Sequence, residues 1–307
     1  MVRQGWSRRI FIQRMGQSIG LAAISSLPLP NRNELQEVII LHTNDVHSRI
    51  EPFPESAGEL AGKGGAARRA AYIESVRQQN EHVLLLDSGD IWQGTPYFNV
   101  FKGGLEFELM SQMKYDASTL GNHDFDLGIE GLMAQWSKAQ FPFICTNYDF
   151  SETPLSGKTL PYHIISKGAL KFGILGAGIE LEGLVPDNLY GKTNYLDPVD
   201  PINRMASFLK KEQDCDFVIL LSHLGLSHSD PSKISDRNLV PQTEDIDLVL
   251  GGHSHTFLEE VVVVQNRKGH PVPINQVGFG GAMIGHLHLT FDVSRKKKRF
   301  HCQNCWL

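Results

Sequence analysis

Cysteine is scarce in this chain, and its scarcity excludes a fold held together by disulfides. The 307 residues include four cysteines, too few to staple a domain of this length. Cys145 and Cys215 flank apolar runs and are predicted to be buried free thiols. Cys302 and Cys305 form a Cys-x-x-Cys pair, which offers too few ligands for a structural zinc site. We expect this pair to form a local disulfide or to remain free and exposed.

An excess of positive charge is also missing. The formal net charge is −5, and the first 30 residues hold four arginines and no acid, so the rest of the chain is more acidic still. An acidic body excludes general affinity for nucleic-acid polymers. The composition is otherwise that of an ordinary globular protein, without repeats or low-complexity tracts. Any anion that the protein binds must therefore be held by a local positive centre.

The amino-terminal segment lacks an apolar run long enough to span a bilayer. Met15–Leu29 is only mildly apolar and contains Ser, Gly and Pro. Before it, Ser7-Arg8-Arg9-Ile10-Phe11 resembles a twin-arginine export signal; the alternative is a fortuitous basic amphipathic segment. We predict that residues 1–30 are a signal read by the twin-arginine export machinery and that the protein is periplasmic or at the cell surface. No clear Ala-x-Ala cleavage site follows.

Five short runs rich in apolar residues recur along the chain, and a polar cluster follows each of them. The runs are Val38–Leu41, Val83–Leu86, Ala117–Leu120, Phe217–Leu221 and Leu248–Leu250. Such runs are typical of buried strands in an α/β sheet. Because open α/β sheets bind ligands beyond the carboxyl ends of their strands, the five polar clusters are predicted to meet at one rim.

The intervals between these runs predict crossover helices and further strands. The predicted helices are Gly64–Ile73, Gly103–Met113, Gly128–Ala139 and Pro198–Lys211. The further strands are Phe141–Thr146, the hairpins Tyr162–Ser166 with Lys171–Leu175 and Leu258–Gln265 with Pro271–Val277, and Met283–Val293. Residues 294–307 begin with a run of basic residues and are predicted to be a solvated basic tail.

The polar clusters contain seven side chains that offer oxygen or nitrogen to a metal ion and no thiolate. They are Asp45, His47, Asp90, Asn122, His223, His253 and His255. Seven donors exceed the needs of one tetrahedral zinc ion. They suit two divalent ions that share one carboxylate. Zinc, manganese, iron and cobalt all accept such ligands, so the residues do not name the metal.

The stretch Thr119–Asp126 combines a metal ligand with a candidate acid catalyst. Gly121 allows the backbone to approach a ligand closely. His123 could pass a proton to a leaving group, and Asp126 could hold this imidazole in one tautomer and orientation. The alternative is a polar loop with a helix N-cap at Asp124 or Asp126.

These motifs resemble, in order, the metallophosphatase domain of the 5′-nucleotidase family, part of the calcineurin-like metallophosphoesterases. The matching motifs are Asp45-x-His47, Gly89-Asp90, Gly121-Asn122-His123-Asp124, His223 and Gly252-His253-x-His255. The resemblance covers residues 36–293 and implies one catalytic domain there. It implies the metallo-dependent phosphatase fold, a four-layer α/β/β/α sandwich of two mixed sheets.

The resemblance also implies a role for each matched residue. One metal would take Asp45, His47 and His255, the other would take Asn122, His223 and His253, and Asp90 would bridge them. The implied reaction is an in-line attack of a metal-bound hydroxide on phosphorus. His123, ordered by Asp126, would stabilise the transition-state charge or protonate the leaving oxygen.

One departure from the family limits the implied substrate. Full-length members continue with a second domain that reads the nucleotide, and this sequence stops at Leu307. We expect a separate nucleotidase C-terminal-domain protein to supply that part, or simpler phosphoesters to be the substrates. A 2′,3′-cyclic nucleotide phosphodiesterase or another phosphoesterase stays open. From another class, the chain could be a metal-dependent scaffold that binds a separate partner chain, although His123 and Asp126 speak against this.

The remaining histidines and two aromatic residues have simpler interpretations. His42 lies out of phase with the predicted ligands, so we expect it to support them through hydrogen bonds. His286 and His288 alternate on one predicted strand and share a face, where we favour no metal. Trp92 and Phe98 are predicted to pack in the core rather than line the site.

Overall fold

The computed structural model describes residues 35–292 and 297–307, and the predicted export signal lies outside these ranges. The strands are β1 (Leu35–Thr43), β2 (Val83–Asp87), β3 (Ala117–Ser118), β4 (Tyr148–Asp149), β5 (His163–Lys167), β6 (Leu170–Gly178), β7 (Asn194–Tyr195), β8 (Phe217–His223), β9 (Leu248–Leu250), β10 (Val262–Gln265), β11 (Pro271–Asn275), β12 (Met283–Asp292), β13 (Lys297–Cys302) and β14 (Cys305–Trp306). The α-helices are α1 (Ala66–Gln79), α2 (Pro96–Phe101), α3 (Gly104–Gln112), α4 (Gly128–Gln135), α5 (Asp187–Tyr190), α6 (Val199–Lys211) and α7 (Asp236–Leu239). Short 3₁₀ turns cover Glu55–Leu60, His123–Phe125, Trp136–Lys138 and Val240–Gln242.

Two mixed sheets form the centre of the fold. The first has the order β13-β12-β1-β2-β3, and β14 also pairs with β12. In it β1, β2 and β3 run parallel, whereas β13 and β14 are antiparallel to β12. The second has the order β10-β11-β9-β8-β6-β5, with a parallel centre and antiparallel edge strands. These sheets confirm the predicted class, and the predicted hairpins β5–β6 and β10–β11 are both present.

The alternation of apolar residues along the strands explains why the sheets stack between helices. On β1, Val38 and Ile40 pack in the core between the sheets, whereas Ile39 and Leu41 pack on the outer core with α1, α3 and α4. On β8, Ile219 faces the same central core and Val218 faces a third core with α6. Because each strand is apolar on both faces, both sheets must be covered on both sides. Three cores therefore separate four layers, as predicted.

Two predicted elements differ from the structure. Phe141–Thr146 was expected to be a strand, but it contributes only isolated bridges, in which Phe143 pairs with Ser118 and Ile144 with Leu160. The helix expected at Gly128–Ala139 is α4 followed by a 3₁₀ turn. The other predicted helices are confirmed as α1, α3 and α6, with ends shifted by a few residues. No described helix combines the length and the apolar character that crossing a membrane requires.

The expected solvated tail is instead part of the first sheet from Lys297 onward. Residues Lys297–Cys302 pair with β12, and Cys305–Trp306 do so as well. Phe300 packs on the core between the sheets, and the Lys298 ammonium lies over the Phe217 ring and pairs with Asp247. The run of basic residues predicts a tail, but it forms a strand because alternate residues still face the core.

The four cysteines are free thiols, as predicted for the buried Cys145 and Cys215. Of the two expectations for Cys302 and Cys305, the local disulfide is not formed. Cys302 packs against the core between the sheets, whereas Cys305 packs against the outer core. Since the two side chains contact opposite faces of the first sheet, a bond between them would require this edge to rearrange.

Candidate metal centre

The predicted ligands meet where the carboxyl ends of strands from both sheets face one another. Those from the first sheet follow β1, β2 and β3, and those from the second sheet lie at the end of β8 and after β9. The parallel pairing of β1 with β2 and of β8 with β9 brings the loops side by side. The rim therefore belongs to two sheets rather than to the single sheet edge that apolar runs alone predict.

One group of potential ligands consists of Asp45, His47 and His255. His47 Nε2 lies 2.9 Å from His255 Nε2, and His255 Nε2 lies 3.3 Å from Asp45 Oδ1. Ligands at about 2.1 Å from one ion lie about 3 Å apart, so these spacings suit a shared ion. This is the set that the family resemblance implies for one metal.

The second group consists of Asp90, His223 and His253. His223 Nε2 lies 3.1 Å from Asp90 Oδ2, and His253 Nδ1 lies 2.9 Å from Asn122 Oδ1. Asp90 Oδ2 is also 3.8 Å from His47 Nε2 in the first group. Asp90 is thus placed between the two groups, where a shared carboxylate would have to lie.

Carbonyl oxygens orient two of the imidazoles. His47 Nδ1–H donates to the Trp92 carbonyl at 3.1 Å, and His223 Nδ1–H donates to the Ser88 carbonyl at 2.7 Å. A carbonyl can only accept, so both rings carry their proton on Nδ1 and direct the Nε2 lone pair towards the centre. His223 Nε2 is buried and, within the part of the chain that the structure describes, accepts no hydrogen bond, although Asp90 Oδ2 lies 3.1 Å away. An orphaned buried lone pair in a set of oxygen and nitrogen donors fits a bound cation.

The backbone is strained at most of these positions. Positive φ angles occur at Asp45 (50°), His47 (51°), Asp90 (54°), His253 (71°) and His255 (52°). Left-handed backbone at residues other than glycine costs about 1–3 kcal/mol each and persists only where the surroundings enforce it. Such strain is concentrated at functional sites, and here it aims the ligands inward.

Glycines give the ligands room to approach one another. A Cβ on Gly121 would collide with Asp90 Oδ1, and one on Gly252 would lie 2.9 Å from His223 Nδ1. A side chain at Gly121 would therefore displace the Asp90 carboxylate. The glycines of the third and fifth motifs are explained by this close packing.

Charge and burial act against each other at the centre. Burial lowers the pKa of His47, and it lowers the pKa of His253 to about 4. Burial also opposes protonation of His223, but Asp90 and Asp45 outweigh it and raise the pKa of His223 to about 10. The carboxylates thus require a positive charge beside them. A bound cation can supply that charge and leave His223 free to ligate.

His123 and Asp126 form a hydrogen-bonded pair at the edge of the centre. His123 Nδ1–H donates to Asp126 Oδ2 at 3.0 Å, and this bond is the main cause that raises the pKa of His123. The His123 ring centroid lies 5.4 Å from that of His47. Its backbone N–H donates to Asp90 Oδ1 at 2.8 Å. The imidazole is partly exposed, so its Nε2 can reach a bound ligand.

Asp124 has a structural role that the sequence alone did not reveal. Its carboxylate accepts backbone N–H groups of Gly121, Asp90, Ile91 and Trp92 at 2.8–3.3 Å. It is fully buried, and burial together with Asp90 raises its pKa to about 7. Asp124 therefore ties the second motif to the third, and the only signal for it was the acid that follows His123.

The simpler interpretations can also be compared with the structure. His42 is buried, its Nε2 accepts a hydrogen bond from Asn275 Nδ2 at 2.8 Å, and burial lowers its pKa to about 3. It therefore supports β11 rather than a ligand. Trp92 is buried and packs on Phe98, which confirms their place in the core. His286 shares a hydrogen bond with the Tyr72 hydroxyl at 2.7 Å and belongs to neither ligand group.

Comparison with known proteins places this architecture in a family. Residues 38–257 match the calcineurin-like phosphoesterase family. The chain is 37% identical over 276 residues to the snake venom 5′-nucleotidase of Crotalus adamanteus, covering 83% of this chain and 45% of that protein. It is 33% identical to the 5′-nucleotidase of Homo sapiens, covering 83% and 47%. The chain thus spans about half the length of the curated relatives it matches.

Solved structures agree with this placement. The 5′-nucleotidase precursor from Thermus thermophilus superposes with a TM-score of 0.78 at 30% identity, covering 89% of this chain and 55% of that one. The NAD nucleotidase of Haemophilus influenzae superposes with a TM-score of 0.76 at 26% identity, covering 89% and 51%. With the sequence match, the two sheets and the ligand groups, the conclusion is that this chain belongs to the calcineurin-like phosphoesterase family.

Proposed function

We propose that this chain is a metal-dependent phosphoester hydrolase of the 5′-nucleotidase type. The observation that carries the proposal is the pair of adjoining ligand groups, one containing Asp45 and the other Asp90. The Asp90 carboxylate also faces His47 of the first group. The His123–Asp126 pair lies at the edge of both groups. A scaffold protein would have no use for a free, oriented imidazole at that edge.

The side chains fit two divalent cations. Asp45, His47 and His255 would hold one, Asn122, His223 and His253 would hold the other, and Asp90 would be shared. Two bound cations would polarise the phosphoryl group and lower the pKa of a water molecule. Because four positive charges face two carboxylates, the centre would be positive and would attract a phosphate dianion despite the acidic body. Zinc, manganese, iron and cobalt remain candidates.

His123 would act on the leaving group. Its Nδ1 is occupied by Asp126, so the partly exposed Nε2 is the atom that can donate a proton to the leaving oxygen or stabilise charge there. Asp126 favours the protonated imidazole and thereby raises the pKa of His123. The hydrogen bond from the His123 backbone N–H to Asp90 Oδ1 holds the main chain of His123 next to the carboxylate that the two cations would share.

Nucleoside monophosphates are the proposed substrates, since relatives of the matched region are named 5′-nucleotidases. The match covers about half of those relatives, so residues that read the nucleobase could lie on a separate C-terminal-domain protein. The twin-arginine-like motif in residues 1–30 supports the proposed export to the periplasm or cell surface. Replacing Arg8 and Arg9 by Lys should retain the protein in the cytoplasm, as measured by cell fractionation.

The decisive experiment is a hydrolysis panel on metal-loaded protein. It contains nucleoside 5′-monophosphates, 2′,3′-cyclic nucleotides and an aryl phosphate, with and without candidate C-terminal-domain proteins. We expect release of phosphate that chelator abolishes, with 5′-monophosphates preferred. Preference for cyclic nucleotides would move the proposal to the phosphodiesterase alternative. No turnover of any ester by protein that retains both metals would favour the scaffold.

A further inference from the structure

The four histidines of the proposed centre are not held in the same way. His47 and His223 each donate Nδ1–H to a backbone carbonyl, and His253 faces Asn122. Within the described residues, His255 makes no comparable hydrogen bond through Nδ1. Its side chain is 40% exposed, so burial does not fix its ring either. Something else must orient this imidazole if it is to serve as a ligand.

An aromatic ring supplies the missing constraint. The Phe279 ring lies parallel to the His255 imidazole, with centroids 5.0 Å apart and an interplanar angle of 15°. Parallel stacked rings at this distance attract each other and resist rotation. His47 also meets His255 edge-on, with centroids 4.9 Å apart. Phe279 thus stacks on one face of the His255 ring, for which the described residues provide no carbonyl partner.

Phe279 is itself held in place by two further rings. Phe53 meets it edge-on at 5.6 Å, and Phe257 does so at 6.0 Å. The glycines on either side make this packing possible. A Cβ on Gly278 would collide with the Phe257 ring, and one on Gly280 would collide with the Phe53 ring. Both glycines also have positive φ angles, of 71° and 65°.

The loop that carries Phe279 is tied to the backbone of another ligand. The Gly280 N–H donates to the Asp45 carbonyl at 2.7 Å. Asn44 Nδ2 donates to the Gly278 carbonyl at 2.7 Å, and Asn44 Oδ1 accepts the Val277 N–H at 3.0 Å. Phe279 therefore has a fixed position relative to Asp45. The stack transmits that position to His255.

We propose that Phe279 is a positioning residue that holds His255 in the orientation required to bind the metal beside Asp45 and His47. This inference rests on the proposed function, since it assumes that these three residues bind a metal. Three protein rings, those of Phe53, Phe257 and His255, surround the partly buried Phe279, and this packing supports a role in orienting His255.

The test compares the Phe279→Ala, Phe279→Leu and Phe279→Tyr variants of the full chain. Mn²⁺ binding to each variant is measured by calorimetry and by electron paramagnetic resonance. Removing a group that orients a ligand typically weakens metal binding about 10–100-fold. We expect that loss at one of two sites in the Ala and Leu variants and binding like the parent in the Tyr variant. Phe101→Ala is the matched control, because this exposed ring stacks on Tyr97, and it should bind as the parent does.

The outcomes separate the inference from the proposed function. A parent protein that binds fewer than two ions would contradict the proposed centre. A parent that binds two, with an Ala variant that also binds two at the same affinity, would overturn only the role of Phe279. If Leu restores binding and Ala does not, volume rather than ring stacking matters, and the inference fails as well. Urea unfolding in chelator identifies any variant that does not fold. If the Ala variant does not fold, the metal affinity of the Leu variant tests the inference instead.

Discussion

The proposed metal centre has an inner end at His223 and an outer end at His255, and these two ligands are held in different ways. At the inner end His223 is fully buried, and its ring is locked by the Ser88 carbonyl. At the outer end His255 is 40% exposed and is restrained by a stacked ring. His223 is thus enclosed by the protein core, whereas His255 is open to solvent.

This difference indicates a division of labour. A buried ligand with a hydrogen-bonded ring needs no reorganisation when it binds metal. An exposed ligand leaves space for substrate but must be steadied by something other than burial. His123 also lies at the open side, with its ring close to His47. We therefore expect changes at the inner end to damage the fold and changes at the outer end to damage chemistry.

The largest effect should come from Asp90→Asn, which removes the contact that joins the two ends. Asp90 Oδ2 lies near both His223 and His47, and an amide cannot bridge two cations as a carboxylate does. Loss of one transition-state contact typically lowers the rate about 10²–10³-fold. We expect a larger fall in kcat/KM for this variant. Metal content should fall too. Near-normal turnover of this variant would rule out a shared carboxylate.

His123→Gln should affect only chemistry at the outer end. The imidazole donates to Asp126 and is not in either ligand group. Loss of a general acid typically costs about 10²–10⁴-fold, so kcat should fall by that factor while two metals remain bound. Metal analysis beside steady-state kinetics measures both quantities. Equal losses of metal and rate would show that His123 is a ligand and not an acid.

Comparing His223→Ala with His255→Ala tests the difference between the ends directly. In chelator, removing His223 leaves a buried carbonyl and buried carboxylates without their partner, which should cost about 1–3 kcal/mol of unfolding free energy. Removing the exposed His255 should change it by less than about 0.5 kcal/mol. Urea unfolding gives both values. Equal costs would mean that the inner end is not preorganised by the core.

Asp124→Asn should loosen the inner end without touching a ligand side chain. One oxygen of the carboxylate is replaced by an amide donor that faces backbone N–H groups. We expect the free energy of unfolding, measured in chelator, to fall by about 1–3 kcal/mol and metal binding to weaken. The same urea titration measures the first and calorimetry the second. A variant with unchanged stability would show that the four N–H contacts do not hold the loops together.

The last prediction concerns the pH dependence of stability and rests on His42. Burial lowers the pKa of His42 to about 3, whereas in the unfolded chain its pKa is about 6.5. Below about pH 6.5 His42 is protonated in the unfolded chain but stays neutral in the folded protein. The free energy of unfolding therefore falls as the pH falls. From pH 7 to 5 this amounts to about 2 kcal/mol. His42→Gln should lose less stability over this interval, as measured by unfolding in chelator at each pH.

Much of this organisation can be predicted from the sequence because its signals are local. Alternating apolar residues on β1 and β8 already require two covered faces. The ligands follow the strands in recognisable motifs, and their meeting in the structure was expected from those motifs. Which sheet each strand joins is a long-range property, and the five apolar runs alone did not reveal that the rim has two sheets.

The missed features depend on partners that are distant in sequence. Asp124 acts through amides of the second motif, some thirty residues away. Phe279 matters because Phe53, Phe257 and His255 surround it, and its sequence signal was only the glycines on both sides. The strand β13 was missed because its lysines and arginine hide the alternation of Phe300 and Cys302.

The most direct test of the account is the number and spacing of metal ions in the purified protein. After reconstitution with Mn²⁺, elemental analysis should find two ions per chain. Paramagnetic resonance should show them magnetically coupled, as expected for ions roughly 3.5–4 Å apart that share a carboxylate. One ion per chain, or two ions without coupling, would contradict a centre joined by Asp90.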